Sequence, residues 1–211
     1  MTQESIAIPT DRGDVAARFT PAADETNSRA MLLVGGADGG FDGPAEALYP
    51  TLADDFAALG IGTLRVDFRL HRFPNDVEEG VHDLLAGLAW LGARGAARVV
   101  IVGHSFGGAV VIEGGVRASE ATGIVAGVVT LATQTAGAQR VALLSPRPIL
   151  LIHGRADDRL SPICSQMLYD AAGVPRELVI IDGATHSLRQ AREEVRQRVR
   201  AFACTALGVA S

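Results

Sequence analysis

The chain of 211 residues predicts an α/β fold with a mostly parallel central sheet and helices on both faces of that sheet. Short runs rich in valine, isoleucine and leucine alternate along the chain with longer segments of helical periodicity. Strands of this composition, separated by helices, are typical of a parallel sheet that is covered on both faces. The length suits one domain with a sizeable core, so we expect a single domain over residues 1–211.

The elements are predicted in order from apolar periodicity and from turn and cap residues. Residues 6–8 and 15–19, joined by a turn, form an opening antiparallel pair. Further strands are predicted at residues 29–34, 62–68, 97–102, 125–131, 148–153 and 177–181. Helices are predicted at 50–59, from an N-cap at Asn75 to about 93, from Ser105 to about 119, at 161–170 and at 188–207. Pro50 lies in the first turn of its helix and Gly60 just past the end.

Composition and charge exclude several classes of function. A net charge of −5 and an isoelectric point near 5.5 argue against binding to nucleic acid or to an anionic membrane. The longest apolar stretch, residues 123–132, is too short to span a bilayer, and the first residues do not resemble a signal peptide. We therefore expect a cytoplasmic protein with no membrane or nucleic-acid partner, and the sequence does not indicate its oligomeric state.

Cysteines and histidines do not indicate a metal or redox centre. Cys164 and Cys204 are the only two cysteines, and they lie far apart in no metal-binding or redox spacing. We interpret both as packing residues in a reducing compartment. The five histidines are scattered along the chain, so no metal and no cofactor is expected.

The sequence Gly-His-Ser-Phe-Gly-Gly at residues 103–108 follows a predicted buried strand and precedes a predicted helix. A serine on such a strand-to-helix turn is exposed at the strand tip, with helix amides beside it, as a nucleophile requires. Gly103 and Gly107 flank Ser105 where strand and helix nearly touch, and we expect both to adopt backbone angles that only glycine takes cheaply. In a chain with 24 glycines the motif alone would be weak evidence, but its position between a strand and a helix makes it specific.

Polar residues also follow three other predicted strands. The strand at 148–153 ends in His153-Gly-Arg-Ala-Asp157, and the strand at 177–181 leads to Asp182-Gly-Ala-Thr-His186. The strand at 29–34 is followed by the glycine-rich loop of residues 35–40. Because functional groups in such sheets gather at the carboxyl ends of the strands, these segments are expected to meet. A serine, an acid and a histidine in this order along the chain suit nucleophilic catalysis on an α/β sheet.

On these motifs the chain resembles the small α/β-hydrolases of the dienelactone hydrolase-like and carboxylesterase-like kind, over residues 29 to about 199. The resemblance implies an α/β-hydrolase fold with a Ser105, Asp157 and His186 triad. His186 would accept the serine proton, and Asp157 would orient the imidazole. It also implies an oxyanion hole formed by the backbone N–H groups of Phe106 and Ala37, with Gly36 as the alternative to Ala37.

The glycine-rich loop departs from the family pattern. Many members have His-Gly where this chain has Gly35-Gly36, so a side chain that usually braces the loop is missing. Asp38 would oppose an oxyanion if its carboxylate pointed inward, and we expect it to point outward because a buried charge is costly. A phosphate-binding loop is disfavoured, since neither G-x-x-x-x-G-K-[ST] nor G-x-G-x-x-G is present.

Several of these residues have alternative interpretations. Ser105 could be an ordinary turn residue, and Asp158 competes with Asp157 for the role of the acid. His153 is interpreted as a structural residue at the end of its strand, because His186 follows the acid in the expected order. His71 could line the site or lie in a surface loop.

The spacing of the later strands limits the substrate pocket. About 16 residues separate the strand ending near Leu131 from the next one, too few for a cap domain of several helices. We expect an open pocket shaped by loops near Phe41, Phe68, Phe73, Phe106 and Gln134. The sequence thus predicts a serine hydrolase that cleaves small carboxylic esters through an acyl-enzyme. Acyl transfer, thioester or lactone hydrolysis with the same triad, and a catalytically silent hydrolase fold used for binding, remain alternatives.

Overall fold

The computed structural model of the chain describes residues 3–23, 28–71 and 75–210. Eight strands form one sheet: β1 (Glu4–Ile8), β2 (Val15–Thr20), β3 (Arg29–Val34), β4 (Gly62–Val66), β5 (Arg98–His104), β6 (Val125–Leu131), β7 (Ile149–Gly154) and β8 (Arg176–Ile181). Five helices flank it: α1 (Pro44–Ala57), α2 (Val77–Ala93), α3 (Phe106–Ala121), α4 (Ile163–Ala171) and α5 (Arg192–Leu207). Short 3-10 helices occupy Val141–Leu144 and Arg189–Ala191.

The strand order is β1-β2-β4-β3-β5-β6-β7-β8, and β2 alone runs against its neighbours. The predicted opening antiparallel pair is therefore confirmed, as is the mostly parallel sheet. Because β3, β5, β6, β7 and β8 are parallel, their carboxyl ends, and the loops that follow, lie at one edge of the sheet.

The sheet is covered on both faces, as the composition of its strands predicts. One apolar cluster packs side chains of α2, α3 and α4 against the sheet, including Leu84, Val110 and Leu168. The other packs α1 and α5 against the opposite face, including Phe56 and Val199. Alternate residues of a strand such as β5 contribute to different clusters, since successive side chains point to opposite faces. The sheet is thus packed against helices on both of its faces.

The helix predicted at residues 50–59 is the element whose boundaries differ most. It begins at Pro44, and Ala45, Glu46 and Ala47 have positive φ angles of 53°, 54° and 65°, so its first turn is left-handed. Pro50 lies close to the start of the right-handed part, as expected, and Gly60 closes the turn after the helix with φ 73°.

Two other boundaries were predicted slightly wrongly. The N-cap of α2 is Asp76 rather than Asn75, because the Asp76 carboxylate accepts a hydrogen bond from Glu78 N at 2.9 Å. The helix predicted from residue 188 is divided into a 3-10 turn and α5, since Leu188 itself has φ 56°. Among the described residues, no helix combines the length and the apolar character needed to cross a bilayer.

Candidate active site

Ser105 occupies the sharp turn between β5 and α3. Its backbone angles, φ 55° and ψ −116°, lie in a region that non-glycine residues seldom occupy and that costs about 1–3 kcal/mol. The turn is anchored at both ends, because Ser105 N donates to Leu131 O at 2.8 Å and Gly108 N donates to Ser105 O at 3.0 Å. The strained residue is therefore the serine itself, whose hydroxyl is presented at the carboxyl edge of the sheet.

The glycines beside Ser105 are required by close approach and not by backbone angle. A Cβ on Gly103 would overlap the carbonyl of Gly107, and one on Gly107 would overlap Gly35 O. Neither glycine has a positive φ, so the expectation that these positions need angles special to glycine is wrong. Gly-x-Ser-x-Gly is thus required because β5, α3 and the glycine loop are packed too closely here for a side chain at either glycine.

Three side chains predicted from the sequence meet at this edge. His186 Nε2 lies 3.1 Å from Ser105 Oγ, and His186 Nδ1 lies 2.8 Å from Asp157 Oδ2. Since an ionised carboxylate can only accept, Nδ1 carries the proton and Nε2 is free to accept one from the serine hydroxyl. Asp158, the competing acid, is exposed and does not contact His186 among the described residues. The arrangement is a continuous hydrogen-bonded chain from hydroxyl to imidazole to carboxylate.

The Asp157 side chain is fully buried, with 0% exposure, and its charge is stabilised from several directions. Its Oδ1 accepts hydrogen bonds from the N–H groups of Arg159 and Leu160, both at 2.9 Å. Burial alone would raise the pKa of Asp157. The hydrogen bonds from Leu160 N, His186 and Arg159 N outweigh that effect and hold the pKa below its ordinary value. The carboxylate is therefore ionised at neutral pH.

The loop that carries His186 is fixed by the left-handed turn at the start of α1. Ala45 N donates to Ser187 O at 2.7 Å, and Leu188 N closes the loop by donating to Thr185 O at 2.9 Å. His186 itself is buried to 9% exposure. The unusual first turn of α1 thus holds the loop of His186 in place beside the strand-to-helix turn at Ser105, called the elbow below.

Backbone amides beside Ser105 have no acceptor. Phe106 is the first residue of α3, so its N–H has no partner within the helix. Within the described ranges, the N–H of Ala37 donates to no protein atom either, whereas Gly36 is paired with Gly39 in an isolated antiparallel β-bridge. Asp38 is exposed and lines the cavity at Ser105, so its outward orientation stays a prediction. The site therefore offers free, oriented donors next to the serine.

The glycine loop is braced from β4 in place of the missing histidine. Asp67, which follows β4, accepts a hydrogen bond from Gly40 N at 2.7 Å and lies 2.8 Å from His71 Nε2. Gly39, with φ 68°, leaves no space for a Cβ beside these two side chains. His71 therefore lies against the outer side of the loop, with 40% of its side chain exposed, and not in the site.

The cavity at Ser105 has a volume of about 190 Å³ and opens into a wider depression of about 490 Å³. The two share Gly43, His104, Arg159 and His186. Residues 35–39 and Ser105 line the inner part, whereas Asp158, Ser187 and Arg189 line the outer part. The site is consequently shallow and largely polar.

The loops near Phe41 and Phe106 line the inner cavity through Gly39, Gly43 and Ser105, as expected. The named side chains themselves, where described, line neither part. Phe68 and Phe106 are each 4% exposed and pack edge to face, with ring centroids 5.3 Å apart, on the other side of the elbow. Phe41 lies beneath the Arg18 guanidinium at 4.4 Å, and Gln134 donates to Ala136 O. Phe73 is outside the described residues. Aromatic side chains that could have lined a pocket are used instead for packing.

His104 is a part of the site that the sequence did not single out. Its Nε2 lies 3.1 Å from His186 O, and the two imidazole centroids are 4.9 Å apart. Burial lowers the pKa of His104 to about 4, so the ring is neutral and adds no charge beside His186. Because His104 directly precedes Ser105 in the motif, the sequence already indicated that its imidazole lies close to the site.

Two further grooves, of about 450 and 600 Å³, lie at the opposite edge, where the strands begin. Within the described part of the chain, neither is lined by a serine or a histidine. The described residues also contain no group of three or more His, Cys, Asp or Glu side chains placed to hold a metal ion. The cavity at Ser105 is therefore where the hydrogen-bonded serine and histidine lie beside amides without an acceptor among the described residues.

Sequence comparisons match the chain only in part. No protein-family model matches the chain. The uncharacterized protein YfhR of Escherichia coli K12 is 32% identical over 108 aligned residues, which cover 42% of this chain and 38% of YfhR. The chain therefore aligns with well under half the length of this curated relative.

Solved structures match over nearly the whole chain. Dienelactone hydrolase from Anabaena variabilis has a TM-score of 0.82 at 18% identity and covers 98% of both chains. Est1E from Butyrivibrio proteoclasticus has a TM-score of 0.81 at 16% identity, covering 97% of this chain and 99% of that one. A serine hydrolase without a lid from Xanthomonas campestris has a TM-score of 0.76 at 16% identity, covering 99% and 97%. Such similarity at low identity shows that the chain has the α/β-hydrolase fold.

Proposed function

We propose that this chain, built on the α/β-hydrolase fold, is a serine hydrolase that cleaves small carboxylic esters through an acyl-enzyme. The observation that carries the proposal is the hydrogen-bonded chain from Ser105 through His186 to Asp157, at the floor of an open cavity. A fold of this kind hosts many reactions, so the argument rests on the site and not on the fold.

In the proposed first step, Ser105 Oγ attacks the ester carbonyl as His186 Nε2 takes the hydroxyl proton. The imidazolium that forms is stabilised by the ionised Asp157, whose Oδ2 already accepts the Nδ1 proton. His186 then returns its proton to the leaving alkoxide oxygen, and the alcohol departs. Water activated by the same imidazole hydrolyses the acyl-serine and releases the acid.

The oxyanion of each tetrahedral intermediate is proposed to accept hydrogen bonds from the N–H groups of Phe106 and Ala37, with Gly36 as the alternative to Ala37. Support comes from the N–H groups of Phe106 and Ala37, for which the described residues provide no acceptor. One preorganised donor of this kind is worth on the order of 3 kcal/mol of transition-state stabilisation. The amide of Phe106 has the further advantage of lying at the positive end of α3.

The substrate is proposed to be small. The inner cavity of about 190 Å³ is below the size of drug-binding pockets, which begin near about 300 Å³. Residues 132–148, all of them described, contain no helix longer than the 3-10 turn Val141–Leu144, so no cap covers the site from this segment. A long acyl chain would therefore remain largely in water.

A substrate panel tests the proposal. The purified protein should hydrolyse p-nitrophenyl butyrate, and Ser105→Ala should abolish the reaction while leaving the protein folded. Acyl thioesters, lactones and an added alcohol acceptor belong in the same panel, because the triad could serve each of them. Methyl ferulate is included because the similar structure Est1E has been solved with ferulic acid bound. Folded protein that turns over none of these compounds would favour a silent, ligand-binding role.

A further inference from the structure

His153 is a buried histidine that the mechanism above does not use. It is the fifth residue of β7, and its side chain has 0% exposure. Its Nε2 lies 3.0 Å from Asp157 Oδ2 and 3.0 Å from Leu160 O, while its Nδ1 lies 2.7 Å from Ser165 Oγ on α4. The acid that holds His186 is therefore held in turn by a second imidazole.

The partners of His153 determine where its proton lies. Asp157 Oδ2 and Leu160 O can only accept, so Nε2 carries the hydrogen and shares it between them. Nδ1 then accepts the hydroxyl proton of Ser165. Burial lowers the pKa of His153 below its ordinary value of 6.5, so the ring stays neutral at neutral pH. Both ring nitrogens of His153 therefore have hydrogen-bond partners.

Two imidazoles consequently donate to one oxygen of the acid. Asp157 Oδ2 accepts from His186 Nδ1 at 2.8 Å and from His153 Nε2 at 3.0 Å, while Oδ1 accepts two backbone amides. A carboxylate oxygen has two lone-pair sites, so both sites of Oδ2 are filled. The donor from His153 fixes the rotation of the carboxylate and withdraws part of the charge that Oδ2 presents to His186.

We propose that His153 is a positioning residue of the triad, whose Nε2–H orients Asp157 and limits how strongly that carboxylate attracts the Nδ1 proton of His186. This inference rests on the proposed function, since it matters only if His186 acts as a base. A histidine with only a structural role would fill space and provide hydrogen-bond partners for its neighbours. A positioning histidine also sets the pH range in which the base is free.

The other groups around His186 provide the background to this effect. The charged and titratable side chains that face His186 or line its cavity are Asp157, His153, Asp38, His104, Asp158, Arg159 and Arg189. None of the last five contacts Asp157 through its side chain among the described residues. Changing the donor of His153 therefore alters the acid without altering these groups.

A matched pair of substitutions tests the inference. His153→Gln carries an amide donor to about the position of Nε2, whereas His153→Asn carries the same amide on a side chain one methylene shorter. With H153N, kcat/KM for p-nitrophenyl butyrate should fall about 10- to 100-fold, the usual cost of losing a partner that orients a functional side chain. H153Q should recover most of that loss.

The pH profile separates positioning from packing. Without the second donor, Asp157 bears more charge and stabilises the imidazolium better, so the acidic limb of kcat/KM should move to higher pH in H153N and not in H153Q. Ser165→Ala, which removes the partner of Nδ1 but keeps the Nε2 donor, should cost less than H153N. Thermal unfolding and circular dichroism establish that each variant is folded.

Two results would overturn the inference: an unmoved acidic limb in folded H153N, or equal losses in H153N and H153Q. A fluorophosphonate reaction with Ser105 of the unaltered protein keeps this failure distinct from failure of the proposed function. If the unaltered protein reacts and the limb in H153N does not move, only the role of His153 is wrong. If the unaltered protein does not react, the proposed function fails first.

Discussion

The carboxylate of Asp157 lies 2.8 Å from Nδ1 of His186, although the two residues are on loops that follow different strands. Asp158, adjacent in sequence, is exposed at the outer rim of the depression. Asp157 Oδ1 caps the turn that follows it by accepting hydrogen bonds from the N–H groups of Arg159 and Leu160. These bonds keep the Asp157 side chain inside, whereas that of Asp158 faces solvent. The same turn that fixes the loop therefore also aims the acid.

Asp157→Asn should lower kcat for p-nitrophenyl butyrate by about 10²- to 10⁴-fold. The amide no longer stabilises the imidazolium and favours the wrong tautomer of His186. Asp158→Asn, the matched control, should change kcat less than about threefold, since its side chain faces solvent. Steady-state kinetics on both folded variants show whether Asp157 or Asp158 is the acid. Equal losses of kcat would mean that the acid is assigned wrongly.

The brace on the glycine loop predicts a second kinetic effect. Asp67→Ala removes the acceptor of Gly40 N and the partner of His71, so the loop that carries the Ala37 amide should lose its fixed position. We expect kcat to fall about 10-fold with little change in KM, because an oxyanion donor acts chiefly in the transition state. Asp67→Asn, which keeps an oxygen able to accept from Gly40, should be milder. A rise in KM alone would show that the loop binds substrate and does not serve the oxyanion.

His104 predicts how stability depends on pH. Burial depresses the pKa of His104 from 6.5 to about 4, so between these values the unfolded chain binds a proton that the folded chain does not. The free energy of unfolding should therefore fall as the pH is lowered from 6.5 towards 4, by up to about 1.4 kcal/mol per pH unit for this residue. His153, whose pKa is also lowered by burial, acts in the same direction.

Urea unfolding between pH 4.5 and 7 measures this dependence. His104→Gln keeps a donor towards His186 O but cannot titrate, so its stability should decline less steeply than that of the unaltered protein. Identical slopes in the two proteins would show that His104 binds a proton as readily in the folded chain as in the unfolded chain, and would contradict the lowered pKa.

The open cavity predicts which acyl chains are accepted. Each buried CH₂ contributes about 0.8 kcal/mol, whereas one left in water contributes almost nothing. Values of kcat/KM for p-nitrophenyl esters should therefore rise over the first few carbons and then level or fall. We expect the best substrates between acetate and hexanoate, with dodecanoate poorly used. A series that keeps rising through decanoate would reveal a binding groove along the surface.

Much of the fold follows from patterns that are local in sequence. Branched apolar runs such as Val125–Leu131 become buried strands, and Gly-x-Ser-x-Gly predicts a tight elbow because close packing excludes any Cβ at Gly103 and Gly107. The start of α1 could not be predicted in this way. Its left-handed turn is stabilised by a hydrogen bond from Ala45 N to Ser187 O, a residue more than a hundred positions away.

The candidate site shows the same division. Ser105, Asp157 and His186 each follow their own strand, so topology alone brings them to one edge. The contact of His153 with Asp157 depends on the turn in which Leu160 N donates to the Asp157 carboxylate, and motif spacing does not predict that turn. Whether the aromatic side chains line the cavity could not be predicted, because it depends on packing. Phe68 and Phe106 contact each other, and the cavity at Ser105 is lined instead by residues that include His104 and Arg159. Such contacts have no signature in sequence spacing.

The central claim is that Ser105 is a nucleophile activated by His186, and covalent labelling tests it most directly. The protein would be treated with a fluorophosphonate probe, digested and mapped by mass spectrometry, with Ser105→Ala and His186→Ala as controls. We predict a single modified residue, Ser105, and a labelling rate in H186A that is lower by about 10²-fold or more, since the base no longer accepts the proton. Folded protein that is unlabelled at Ser105, or labelled equally fast without His186, would contradict the account.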